Sequence, residues 1–278
     1  MTERDNSDRT GVLQPPEPKV EQPATSLTFI TPSEFIDLPS QGKFYPVGHP
    51  LRDKKDIELR YMTAKEEDLL TSKSLLKKGI AIDKVLESLL VEKNLKIEDF
   101  IVGDKNALII AARKSGYGSD YNPTLTCPKC EKKVEFSFDL DLIKNKESKL
   151  AEDLQLSPQG TVSVTLPRTK TKIEFRPLTG KDEKRLLEAQ EERLKAKQPE
   201  AASTTQMRAF IVSVNDNTDR TVVNACIDSM PAFDAKFLRQ SYKETVPDVD
   251  MTQPFECAKC GHEEVIEVPL TTEFFWPK

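Results

Sequence analysis

Two short stretches constrain most of what this chain can become: CPKC at Cys127–Cys130 and CAKC at Cys257–Cys260. Each is a Cys-x-x-Cys knuckle followed by a few polar residues and an alternating run, VEFSFDLDL after the first and VIEVPLTTEFF after the second. Zn2+ takes four soft ligands at the corners of a tetrahedron, and one knuckle presents two sulfurs at the separation this needs. A single copy fits buried thiols or a redox pair equally well. Two copies with matching strands fill the shell and leave no open position, the arrangement of a structural site. The ligand set is then Cys127, Cys130, Cys257 and Cys260, with one Zn2+ per chain. Ribbon knuckles usually stand roughly 15–20 residues apart, whereas here 126 residues (131–256) intervene. The spacing therefore predicts an α+β fold in which helical clusters surround a discontinuous zinc-ribbon-like β element closed by the two knuckles.

The N-terminus MTERDNSDRTG has no apolar core of a signal peptide, and no run approaches the ~18 apolar residues of a membrane span. The expectation is a soluble protein made in a reducing cytosol, with no membrane partner, where paired cysteines favour metal over disulfides. The fifth cysteine, Cys226, reads as a small buried apolar residue on a helix. Charged residues make up 31% of the chain and the net charge is −5, so the surface is solvated and lacks the basic field that draws nucleic acid. Near the knuckles, Lys129, Lys132 and Lys133 are offset by Glu131, Glu135, Glu256, Glu263 and Glu264. Those lysines have a sufficient role in neutralising a doubly negative zinc–thiolate centre. Nucleic acid is accordingly not expected as a partner, and a zinc-ribbon nucleic-acid-binding or regulatory protein is the alternative reading.

Three regions follow from composition. Residues 1–25 carry Pro15, Pro16, Pro18 and Pro23 among charges and are expected to be a disordered leader. Residues 26–124 read as an extended arm, anchored by Phe29, Phe35, Phe44 and Tyr45, followed by a helical region. Residues 125–278 read as the discontinuous ribbon domain, with a β-hairpin and a helical insertion at about 143–251. Within the arm region, IELRYM (57–62) alternates as a strand, and Thr63-Ala-Lys-Glu66 matches a capping box that opens a helix. Helical periodicity continues over 80–91, with Ile82, Val85, Leu86, Leu89 and Leu90 on one face, and from Asp104 to about Ser115, ended by Gly116. TVSVTLP (161–167) and KIEFRPL (172–178) read as a hairpin. A long polar helix over 180–197 and an exposed connection at 198–205 follow. Helices are then expected over 206–214, 220–229 and 231–244, with Pro231 in a first turn.

Chemistry beyond the knuckles is sparse. The two histidines, His49 and His262, belong to no triad signature, and neither a nucleophile elbow nor a P-loop is present. HEEVI (262–266) has Ile266 where a zincin needs its second histidine. His262 is weighed as an extra ligand against an exposed turn residue. GYGSDY (116–121) precedes a proline and a strand rather than a helix, so it reads as a helix end and turn, not a phosphate loop. The pairs Glu66–Glu67 and Glu191–Glu192 read as solvated helix faces. No catalytic residues and no small-molecule substrate are expected.

Six stretches together resemble the baseplate hub proteins of T4-like tailed phages: LPSQGKFYPVG (38–48), IELRYMTAKEEDLLT (57–71), IVGDKNALIIAARKSGYGSDY (101–121), both knuckles, and PLTTEFFWP (269–277). The resemblance implies a non-enzymatic hub component or hub assembly factor, found in the tail baseplate of the virion, in the infected host cytoplasm, or in both. Its implied partners are other baseplate hub and tail proteins. The terminal Phe274, Phe275 and Trp276 are candidate partner contacts, because aromatic side chains dominate interface hot spots. The competing reading has them folding back over the ribbon or the helices.

Overall fold

The structure, a computed structural model, describes residues 31–146, 156–199, 201–270 and 272–275. The leader 1–25, Phe29 and Trp276 lie outside these residues. The arm opens with β1 (Ser33–Asp37), paired antiparallel with β2 (Asp56–Arg60) so that Ile36 faces Ile57 and Phe35 faces Glu58. Strand alternation thereby buries Ile57 and Leu59 but turns Phe35 outward, 70% exposed, so Phe35 is not the core anchor expected of it. Between the strands the chain runs in turns that bury Leu38, Phe44, Tyr45 and Leu51.

What holds that turn region is one buried carboxylate. Asp104 accepts hydrogen bonds from the Ser40 N–H (2.9 Å), the Ser40 hydroxyl (2.6 Å) and the Tyr45 hydroxyl (2.7 Å). The Tyr45 oxygen in turn accepts from the Ile101 N–H at 3.0 Å. Burial pushes the Asp104 pKa above the usual carboxylate range, outweighing the three donors that favour its ionised form.

Three helices follow β2: α1 (Ala64–Thr71), α2 (Lys73–Lys77) and α3 (Ala81–Leu89). The expected capping box opens α1, with the Glu66 carboxylate accepting from the Thr63 N–H at 3.0 Å. Glu66 is not on a solvated face. It is fully buried, because the same carboxylate also takes the Ser88 hydroxyl at 2.9 Å and lies 3.6 Å from Arg60. Helix α3 buries Val85, Leu86 and Leu89 as its periodicity predicts. Helix α4 (Val102–Tyr117) runs longer than expected at both ends. It ends at Gly118, whose φ of +80° suits a residue without Cβ, whereas Gly116 stays helical and packs against Met62. Buried Lys105 ties α4 to its neighbours through Asp83 (2.8 Å) and Glu183 (3.0 Å).

The region around the first knuckle is built from short strands: β3 (Asp120–Tyr121), β4 (Thr124–Thr126), β5 (Lys133–Glu135), β6 (Phe138–Asp139) and β7 (Lys144–Lys146). The run VEFSFDLDL is therefore not one strand. It breaks at Phe136–Ser137 because its two halves find different partners, β5 pairing with β4 and β6 with β3.

The expected hairpin comes next, β8 (Val162–Thr165) against β9 (Lys172–Phe175). Its loop is held by Asp234, which accepts from the Arg168 and Thr169 N–H groups, both at 3.0 Å. Helix α5 (Gly180–Lys195) opens on a second capping box, in which Asp182 accepts from Thr179 and binds Arg176 at 2.7 and 3.0 Å. Helix α6 (Ala202–Phe210) starts inside the expected connection and stops early. Ile211–Val214, expected to be helical, forms β10, which pairs with β9 to give a three-stranded sheet in the order β10-β9-β8. The β-branched IVSV suits that pleated, half-buried position. Helix α7 (Arg220–Ser229) matches its expected span, and α8 (Ala232–Thr245) starts one residue after Pro231, which serves as the cap rather than the first turn. The chain then returns as β11 (Asp248–Asp250) beside β7, and as β12 (Thr252–Glu256) and β13 (Glu263–Glu267), which pair with each other.

Candidate metal centre

Each knuckle is the tip of a two-stranded hairpin. Thr126 faces Lys133 at the end of β4–β5, and Glu256 faces Glu263 at the end of β12–β13. The two tips are built alike. The N–H of the first cysteine donates across the hairpin, Cys127 to the Lys132 carbonyl at 3.0 Å and Cys257 to the His262 carbonyl at 2.8 Å. The residue after the second cysteine donates back to the first, Glu131 to Cys127 at 2.9 Å and Gly261 to Cys257 at 2.8 Å. That return bond requires a left-handed residue, with φ +57° at Glu131 and +65° at Gly261. Glycine adopts this conformation freely, while a side chain there costs roughly 1–2 kcal/mol.

The four Sγ atoms lie within 4.8 Å of one another. Cys127 is 3.8 Å from Cys260 and Cys130 is 3.9 Å from Cys257, contacts that cross between the knuckles. Such separations far exceed a disulfide bond of about 2.05 Å. They match the edge, about 3.8 Å, of a sulfur tetrahedron around an ion with bonds of about 2.3 Å. The arrangement can hold a metal ion. Cys127 and Cys257 are buried, Cys130 is half-buried and Cys260 is exposed.

The thiols do not ionise alike. The Cys130 amide, above all, holds the Cys127 thiol below the ordinary range, and the Lys259 amide brings Cys257 down to about 7. The His262 amide pulls Cys260 the same way, but desolvation and the three neighbouring thiols outweigh it and push Cys260 up to about 12. A cation bound among the sulfurs would favour the thiolate form of its ligands.

His262 takes no part in the cluster through its ring, which lies 3.4 Å from Glu264. Cys226 stands apart on α7, half-buried, and burial raises its pKa. Beneath the sulfurs, Val134 and Phe255 form a small apolar floor with Leu125, Phe136 and Ile266 at its margin. A chain of ring contacts leads from it into the main core: Phe255 to Phe136 (5.1 Å), Phe136 to Phe138 (4.9 Å), Phe138 to Tyr121 (6.2 Å) and Tyr121 to Phe274 (5.0 Å). Phe274 and Phe275 are each 1% exposed. They fold back into the chain's own core and offer no free surface, which corrects their assignment as partner contacts.

The residue that clamps them was not legible in the sequence. Arg113 of α4, 1% exposed, donates from Nε to the Phe274 carbonyl (2.7 Å) and from its two terminal nitrogens to Gly118 (2.8 Å) and Asp120 (2.9 Å). Three carbonyls on two separate segments thus converge on one guanidinium, whose fork of donors suits them.

Residues 33–164 match the family model described as T4 bacteriophage base plate protein. Over this stretch, just under half of its length, the chain is similar to T4-like phage base plate proteins. The matched part runs from β1 through the first knuckle into β8, and the second knuckle lies beyond it. The match supports a structural component of the tail base plate that contacts other base plate proteins, and suggests a non-enzymatic role. No curated protein and no solved structure matches the chain. Among the described residues, no helix is long and apolar enough to cross a membrane.

Proposed function

We propose that this base plate protein is a structural part of the hub, resident there or engaged while the hub assembles, and that one Zn2+ on Cys127, Cys130, Cys257 and Cys260 closes its fold. The observation that carries the metal is the near-tetrahedral spacing of four thiols drawn from hairpin tips 126 residues apart. The ion supplies a cross-link and neutralises the thiolates. The chain's own residues do the rest. Backbone N–H groups favour the thiolate at Cys127 and Cys257, Val134 and Phe255 shield the buried sulfurs, and the ring contacts couple the clasp to α4. No open ligand position is left for a substrate, which fits a scaffold.

The hub assignment rests on the base plate match together with the resemblance of residues 38–48, 57–71, 101–121 and 269–277 and of both knuckles to hub proteins. Its test is quantitative mass spectrometry of purified virions against a known tail protein. A small fixed copy number makes the chain a hub component, and absence from particles together with failed tail assembly in its absence makes it an assembly factor. Normal, infective tails without the gene would overturn both. Elemental analysis of protein purified without chelator should return one zinc per chain, and no stoichiometric metal would refute the clasp.

A further inference from the structure

We propose that the outer edge of β13 is a docking site for an extended, basic segment of another protein, which adds to the β12–β13 hairpin as a third strand. The register fixes which backbone groups are free. Cys257 donates to His262 and Val268 donates to Met251, so by antiparallel alternation the hydrogen-bonded pairs of the hairpin are Phe255–Glu264 and Gln253–Ile266. The N–H and C=O groups of Glu263, Val265 and Glu267 therefore point away from β12, and β13 has no other strand beside it among the described residues.

The two edges of this hairpin are not equivalent. At the centre of the β12 edge stands Pro254, in the non-hydrogen-bonded pair with Val265, where its missing N–H blocks an added strand. The β13 edge carries no such block. Val265, directly across from that proline, is 65% exposed.

Charge selects the occupant. Glu256 and Glu263 face each other in a non-hydrogen-bonded pair, where side chains come closest and like charges destabilise. Glu267 lies on the same face as Val265, and all three glutamates are exposed. Among the described residues none of the three takes part in an ion pair, whereas Glu264 on the opposite face has His262 beside it. A strand carrying lysine or arginine on alternate residues relieves the Glu256–Glu263 repulsion while its backbone takes the free ladder positions, the mode of strand addition. A second copy of β13 would instead set its own glutamates against these, so the same charges oppose self-pairing.

The inference adds a partner surface to the base plate reading without depending on the contents of virions, since its test needs only the zinc-loaded full chain. The probe is a synthetic peptide of alternating lysine and valine, followed by amide hydrogen exchange resolved residue by residue. Binding should slow exchange at Glu263, Val265 and Glu267 and leave Glu264 and Ile266, already paired within the hairpin, unchanged. Val265→Pro removes the central outward N–H and keeps the internal ladder, so binding should weaken roughly tenfold, about the worth of one hydrogen bond. An alternating glutamate and valine peptide should not bind. No binding of the lysine peptide, or binding that leaves the three outward amides unprotected, overturns the proposal. Equal binding by Val265→Pro with Glu264 and Ile266 still protected shows charge attraction alone, and also overturns it. The wild-type exchange pattern decides the matter even if the proline variant misfolds.

Discussion

Stripping the metal should loosen residues 131–256 as a block, not the knuckles alone. The proposed metal clasp joins Cys130 to Cys257 and closes a loop of 126 residues. For a cross-link spanning a loop of that size, the loop-closure entropy removed from the unfolded chain is worth about 5 kcal/mol. If the unfolded chain also releases the ion, the loss approaches the binding free energy of a structural zinc, on the order of 10 kcal/mol. Either figure is large against a total stability of roughly 5–15 kcal/mol. The apolar floor cannot compensate, because Val134 and Phe255 are its only fully buried side chains besides cysteine, each worth roughly 1.5–3 kcal/mol. At about 2–4 °C per kcal/mol for a chain of this class, a strong chelator should lower Tm by roughly 10 °C or more. Amide exchange should accelerate across the β8–β9–β10 sheet, α7 and α8. Cys127→Ser should reproduce the effect and Cys226→Ser should not. A fall in Tm below about 3 °C, or faster exchange confined to 124–135 and 252–267, would refute the reasoning that the clasp secures the insertion.

Two further outcomes test the local physics. Arg113→Met leaves three carbonyls without their donors, each worth roughly 1 kcal/mol, so urea denaturation should show a loss of about 2–4 kcal/mol once the relief of unburying a cation is allowed for. Arg113→Lys should recover little, because one ammonium cannot span all three, and full recovery would show that charge rather than the fork is what matters. At the twin knuckle positions the signs should be opposite, with Glu131→Gly raising stability by about 1 kcal/mol and Gly261→Glu lowering it by a similar amount. Thermal melts of zinc-loaded protein moving in the same direction for both would contradict the left-handed geometry.

Features that depend on a few neighbouring residues could be read directly. The Thr63–Glu66 box, the apolar face of α3 and the span of α7 follow from hydrogen bonds and periodicities within one or two turns. The four cysteines were legible for a similar reason. A knuckle is a local structure, and four equivalent thiols leave little choice of partner, so their convergence across 126 residues could be anticipated.

Elsewhere the same residue types took roles that no local pattern encodes. Glu66 and Glu67 are adjacent and chemically alike, yet only Glu66 is buried, because Ser88 on another helix completes its hydrogen bonds. Phe35 is exposed, although phenylalanine favours the interior, because pairing with β2 sets which face of β1 looks outward. Ile211–Val214 became a strand because β9 had a free edge beside it. Phe274 and Phe275 became core because Arg113, 161 residues earlier, holds the Phe274 carbonyl. The sequence by itself determined the helices opened by a local box or carried by a clear periodicity, the β8–β9 hairpin and the four-thiol set, all governed by interactions between near neighbours or by residues that leave little choice of partner. Only the tertiary structure decided which charges are buried, which aromatics face solvent and which strand edge stays open, because each depends on what a distant segment brings to within hydrogen-bonding distance.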